Sequence, residues 1–156
     1  MKITLLLTGK TEDPHISEGV DRYLRMIRAY ASTEVIIIPV KNKWNALPPA
    51  IRMEHEGKLI LQYFASHDFT VLLDEKGVGL TSEGFARFLQ ERMNRSARAL
   101  LFVVGGPWGF SKEVKNRADM LLSLSPMTFT HQMIRLIFTE QLYRAFTIIN
   151  NHPYHN

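Results

Sequence analysis

Three short stretches of the chain combine residue types and spacings that can do chemistry. Gly105-Gly106-Pro107-Trp108-Gly109 follows an apolar run, and paired glycines there let the backbone approach a ligand closely or take a positive φ. An ordinary strand-to-helix turn would use the same residues. The run from Leu122 to His131, LSLSPMTFTH, sets small hydroxyl residues and a proline just ahead of a long helical pattern. Such residues can face a ligand, or Ser125, Thr128 or Thr130 can simply cap the helix. The tail His152-Pro153-Tyr154-His155 carries two histidines three apart with a tyrosine between them. A metal would need carboxylates or cysteines close by, and no such cluster adjoins the tail, so no metal is expected; a frayed terminus is the plain alternative. His15, His55 and His67 fall in polar loops or on helix surfaces. Neither GxGxxG nor GxxxxGK[ST] occurs, and no nucleophile elbow or Ser-His-Asp order is visible. The chain has no cysteine, which removes disulfides, thiolate zinc sites and cysteine nucleophiles and permits a reducing cytoplasm.

The elements that must position these stretches alternate strand and helix. KITLLL (2–7), EVIIIPV (34–40), FTVLLD (69–74), ALLFVV (99–104) and DMLLSLS (119–125) read as strands. Ile16, Val20, Tyr23, Leu24 and Ile27 recur at helical spacing and predict a helix to about Ser32. Pro48 and Pro49 suit the entry to a second helix reaching about Ala65, and EKGVGLTS reads as a turn whose hydroxyls cap a third from about Glu83. Ser111 can cap a short helix through Arg117. In the last helix Ile134, Ile137, Phe138, Leu142, Ala145, Phe146 and Ile149 form an apolar face, with Gln132, Arg135, Thr139 and Arg144 largely opposite. Repeated β–α units with buried strands predict an α/β fold: an open, mostly parallel sheet with helices on both faces. Ligands in such sheets bind beyond the carboxyl ends of the strands, which points at the turns after Leu73, Val104 and Leu124.

With 156 residues, 46% hydrophobic and 22% charged, the chain can bury one core, so one domain over 1–156 is expected. No apolar run approaches membrane-spanning length, and MKITLLLTGK reads as a first strand rather than a secretion signal. The net charge of +4 and a pI near 9.5 suit a polyanionic partner, or merely a mildly basic soluble protein. Glu18 and Asp21, one helical turn before Arg22 and Arg25, are expected to blunt the field of those arginines.

Taken together, LLDEKG, FVVGGPWG, LSLSPMTFTHQMIRLIFTEQLYRAF and the terminal HPYH resemble the ribosomal RNA large-subunit methyltransferase H family, the pseudouridine N3-methyltransferases, over essentially the whole chain. One departure is visible: Thr130 stands where the family usually has a proline before the loop histidine, His131. The resemblance implies a SPOUT methyltransferase fold with a C-terminal trefoil knot, and a homodimer whose active site is shared between subunits. It implies S-adenosylmethionine held by Leu73, Gly105, Leu124, Ser125, Pro126, Met127, Thr128 and Phe129. It further implies methylation of N3 of a pseudouridine in large-subunit ribosomal RNA, on the assembled ribosome in the cytoplasm and away from any membrane. N3 must lose a proton, and His155 is the base expected from its ordinary pKa. Tyr154 would stack on or hydrogen-bond the target base, and Arg144 would hold a phosphate or the deprotonated imide. The competing readings are a non-catalytic RNA- or nucleotide-binding module, or a SPOUT enzyme acting on another RNA.

Overall fold

A computed structural model describes residues 1–95 and 97–154. Five strands, β1 (Lys2–Thr8), β2 (Ser32–Ile38), β3 (Phe69–Gly79), β4 (Ala99–Val104) and β5 (Met120–Ser123), form one sheet in the order β2-β1-β4-β3-β5. Every pairing is parallel. Five helices accompany them: α1 (Pro14–Ile27), α2 (Pro49–Leu61), α3 (Ser82–Asn94), α4 (Lys112–Arg117) and α5 (Met133–Ile149). The starts of the first four helices have a physical reason each. Proline occupies the first turn of α1 and α2, while Asp13, Thr81 and Ser111 side chains accept the first backbone N–H groups of α1, α3 and α4.

Strand residues alternate between two cores. Ile3, Leu5, Leu7, Val71, Leu100 and Phe102 pack with Ile27 of α1, Phe85 and Leu89 of α3, and Phe138 and Phe146 of α5. Leu6, Leu72, Leu101 and Val103 pack on the other face with Ile60 of α2 and Val114 of α4. This sorting follows from chirality. The steps β1 to β2 and β3 to β4 move one way along the sheet, and β2 to β3 and β4 to β5 move the other. Right-handed crossovers therefore put α1 and α3 on one face and α2 and α4 on the opposite one. Past their carboxyl ends, β3 and β4 send the chain to opposite faces, and a crevice must open between them.

Several sequence expectations need correction, among them the reach of the second helix, which stops at Leu61 and not near Ala65. Helix α1 stops at Ile27, so Ser32 begins β2 instead of ending the helix. Strand β3 does not stop at Asp74 but runs on to Gly79: Leu122 of β5 lies opposite Leu73 and again opposite Val78, with residues 74–77 looped out of the ladder. Gly77 lies directly on β5, where a Cβ would stand 2.4 Å from the carbonyl carbon of Leu121. Helix α5, finally, does not turn a polar face to water. It packs against both α1 and α3, Met133 is its only exposed residue, and Arg135 and Thr139 are fully buried. Among the described residues Arg22 and Arg25 make no ion pair, so the expected offset by Glu18 and Asp21 is not formed. No helix among them is long and apolar enough to cross a membrane.

Candidate functional site

A cleft of about 320 Å³ opens at the carboxyl ends of β3, β4 and β5, at the three turns that the open-sheet rule selects. Strand β3 contributes Leu73 and Asp74, the turn after β4 contributes Gly105 through Phe110, and the segment after β5 contributes Leu124, Ser125, Met127, Thr128, Phe129 and His131. Seven of the eight residues expected to hold a cofactor thus line one cavity, and Pro126 does not.

Each wall has a local cause. Pro107 and Trp108 sit at the corners of a tight turn closed by the Gly109 N–H donating to the Gly106 carbonyl at 3.0 Å. Of the glycines there, Gly109 takes the positive φ, 78°, and Gly105 and Gly106 do not. Gly105 is instead a close-packing position, since a Cβ would meet the Phe110 ring at 3.1 Å. Behind the turn stands the buried Glu56, whose Oε1 accepts from Arg52 Nε at 2.8 Å.

On the facing wall, Ser123 Oγ donates to the Ser125 carbonyl at 2.9 Å, and Ser125 Oγ accepts the Met127 N–H at 2.9 Å. Thr128 Oγ1 donates to Glu75 at 2.9 Å, which ties this loop to the residues looped out of β3. Of the three candidate caps, Thr130 does the work for α5, accepting the Met133 N–H at 3.1 Å. The Thr130 hydroxyl therefore fixes the start of the helix.

Sequence reasoning passed over Asp74 with Lys115, and Arg135, while His131 stood out already as the loop histidine. Asp74, nearly buried, pairs with Lys115 of α4 at 2.6 Å, and both line the cleft. Arg135 extends its guanidinium to the carbonyls of Thr8 at 2.8 Å and Gly9 at 3.0 Å, to Thr11 Oγ1 at 2.9 Å, and with Nε to the His131 carbonyl at 3.1 Å. Burial draws its pKa down to about 10, which leaves it a cation at neutral pH. His131 is pushed below its ordinary 6.5, first by burial and then by the adjacent Arg135, so its ring is neutral at pH 7.

The tail is a separate cluster. His152 Nδ1 lies 2.6 Å from the Tyr30 hydroxyl, and the Tyr154 ring meets Tyr143 edge-on at 4.8 Å between centroids. Arg144 lies 4.7 Å over the Tyr154 ring and pairs with Glu140 at 2.6 Å. The Tyr154 phenol is raised well above its usual pKa, by burial first and then by its contacts with Tyr23 and Glu140, so it stays protonated. The Glu140 hydrogen bond raises Arg144 further. As far as Tyr154 the tail is docked on α1 and α5, against the frayed alternative; His155 lies outside the described residues. Neither Arg144 nor Tyr154 lines the cleft. Arg144 is ten residues along α5 from Ile134, which does line it, a separation of roughly 15 Å at ~1.5 Å per residue.

A doubly wound parallel sheet with this strand order and a cleft over β3, β4 and β5 defines the class, and the comparisons name it. The family model described as "Predicted SPOUT methyltransferase" matches residues 1–155, so the chain has the SPOUT methyltransferase fold. A probable methyltransferase from Bordetella pertussis Tohama I shares the fold at a TM-score of 0.57 and 12% identity, over 92% of this chain and 95% of that one. Proteins named ribosomal RNA large subunit methyltransferase H are 47% identical in Christiangramia forsetii and 48% identical in Parabacteroides distasonis, covering 100% of this chain and 99% of each relative. The chain belongs to the ribosomal RNA large subunit methyltransferase H family of SPOUT methyltransferases.

Proposed function

We propose that this chain transfers a methyl group from S-adenosylmethionine to N3 of a pseudouridine in large-subunit ribosomal RNA, acting in the cytoplasm on the assembled ribosome. The observation that carries the reading is the convergence of Leu73, Gly105 and the 124–129 loop on one cleft from three separate strand ends. The names of the full-length relatives support the ribosomal RNA substrate.

The cleft fits the cofactor's chemistry. Leu73, Leu124 and Ile134 offer apolar walls for a flat purine, while the Gly105–Gly106 backbone and the Ser125 hydroxyl supply directional polar groups. Bound there, the cofactor supplies a methyl carbon already activated on a sulfonium. The chain's own residues must align the nucleophile and exclude water. His155 is the proposed base for the N3 proton, Tyr154 a protonated phenol that stacks on the base or donates to it, and Arg144 the cation that steadies the imide or a phosphate.

Arg144 lies too far along α5 to reach the cleft of its own chain, and Tyr154 packs against it. That separation supports a homodimer in which one subunit's tail serves the other's cofactor. Exposed Val78, Leu80 and Met133 supply apolar surface for such a contact. The looped-out segment 74–77, laid across the β5 backbone at Gly77, supports a trefoil knot in a single domain spanning 1–156.

The test has two steps. Calorimetry should give one S-adenosylmethionine bound per chain, and unmethylated ribosomes should acquire a methyl group at N3 of pseudouridine, read by nucleoside mass spectrometry. A folded protein that binds no cofactor would be the non-catalytic binding module; cofactor binding with methylation of another RNA would be a different SPOUT enzyme.

A further inference from the structure

We infer that Trp108 is the stacking platform for the nucleobase that receives the methyl group, an inference that rests on the reading of the chain as an RNA methyltransferase. A base methylated on its Watson–Crick edge must leave its stack, and the enzyme must replace the lost stacking partner. Trp108 is the residue placed to do so. It lines the mouth of the cleft and is 56% exposed, whereas the other tryptophan, Trp44, is buried against His55. No aromatic ring or cation packs on it among the described residues.

Trp108 also sits on a tightly fixed stretch of backbone. It stands at a corner of a tight turn beside Pro107, closed by the Gly106–Gly109 bridge and followed by the buried Phe110. Glu56 blocks the turn from behind, since a Cβ on Gly106 would meet its Oε2 at 2.7 Å. A rigid indole loses little conformational freedom on stacking, which is why such rings serve as platforms for single-stranded bases. Exposed Met127 and Phe129 form the opposite lip, so an extruded base would lie between indole and loop. Exposed Lys76, also lining the cleft, is available for the adjoining phosphate.

The test uses full-length protein with Trp108→Ala and Trp108→Phe, assayed on unmethylated large subunits alongside calorimetry with S-adenosylmethionine and sedimentation. Removing a stacking ring should lower kcat/KM by about 5- to 150-fold, the range that alanine replacement of base-stacking aromatics produces. Phenylalanine should restore most of it, with cofactor affinity and dimer mass unchanged in both variants. Wild-type kcat/KM in Trp108→Ala overturns the inference. So does a matching loss of cofactor affinity, which makes Trp108 a cofactor wall, or a change in mass, which makes it a subunit contact. A wild-type protein that binds cofactor but methylates no ribosomal RNA defeats the proposed function instead, and the platform with it.

Discussion

At Gly77 the fold leaves room for one hydrogen and no more: a Cβ would stand 2.4 Å from the carbonyl carbon of Leu121 and 2.6 Å from the Leu122 nitrogen. Both neighbours are backbone atoms of a paired strand, so they cannot swing aside as a side chain would. Gly77→Ala should therefore destabilise the protein by about 1–3 kcal/mol, the usual cost of overpacking. Its urea midpoint should fall accordingly, and an unchanged midpoint would show that the 74–77 loop does not press on β5. His131 offers a second check, through pH. Burial and Arg135 hold its folded pKa below the ordinary 6.5. Between that depressed value and 6.5 the unfolded chain binds a proton that the folded one refuses, so stability falls as pH drops below about 6.5. His131→Gln removes this linkage. Denaturation at pH 7.5 and again at pH 5.5 should show a smaller loss for the variant than for the parent, and equal losses would mean that the ring titrates normally.

The docked tail makes its own prediction, because folding and catalysis ask different things of it. Deleting residues 152–156 removes the His152–Tyr30 bond and the Tyr154 contacts with Tyr143 and Arg144, a loss of roughly 1–2 kcal/mol. Cofactor should still bind, since neither His152 nor Tyr154 lines the cleft, while methyl transfer should stop. A truncated protein with wild-type turnover would return the tail to mere packing. How much of this could be read in advance varied with the element. The five strands were legible because a parallel sheet covered on both faces demands continuous apolar runs, and KITLLL and ALLFVV are such runs. The extension of β3 was not, because EKGVG has the composition of a turn and its pairing is set by β5, far along the chain. Arg135 misled for a similar reason: helical spacing put it on the polar face, but its partners are carbonyls at Thr8 and Gly9, which periodicity cannot see. The place of the proposed cofactor loop was legible from the strand-end rule, which selects the turn after Leu124, but its role came only from a residue string that resembles a family; its hydroxyls alone read equally well as caps, and Thr130 is one.

Considered entire, one chain holds the two halves of the proposed site apart. The cleft sits at the carboxyl end of the sheet, while Arg144 lies more than two turns farther along α5 with Tyr154 packed against it. If neighbouring subunits supply the missing halves, a defect in the cleft of one chain and a defect in the tail of another are complementary. Ser125→Trp should fill the cleft and abolish cofactor binding, and Arg144→Ala should leave the cleft intact but remove the cation. Each homodimer should then be inactive. Co-refolding them in equal amounts gives mixed dimers as half of the population, and each mixed dimer carries one undamaged site. About a quarter of all sites, and so about a quarter of wild-type activity, should return. Simple mixing without subunit exchange should restore nothing, which separates complementation from residual activity of either variant. If each chain used its own tail, every mixed dimer would hold only defective sites and activity would stay at the background of the two parents. Sedimentation of the wild-type protein supplies the control: the mass should be twice the 18.0 kDa of the chain.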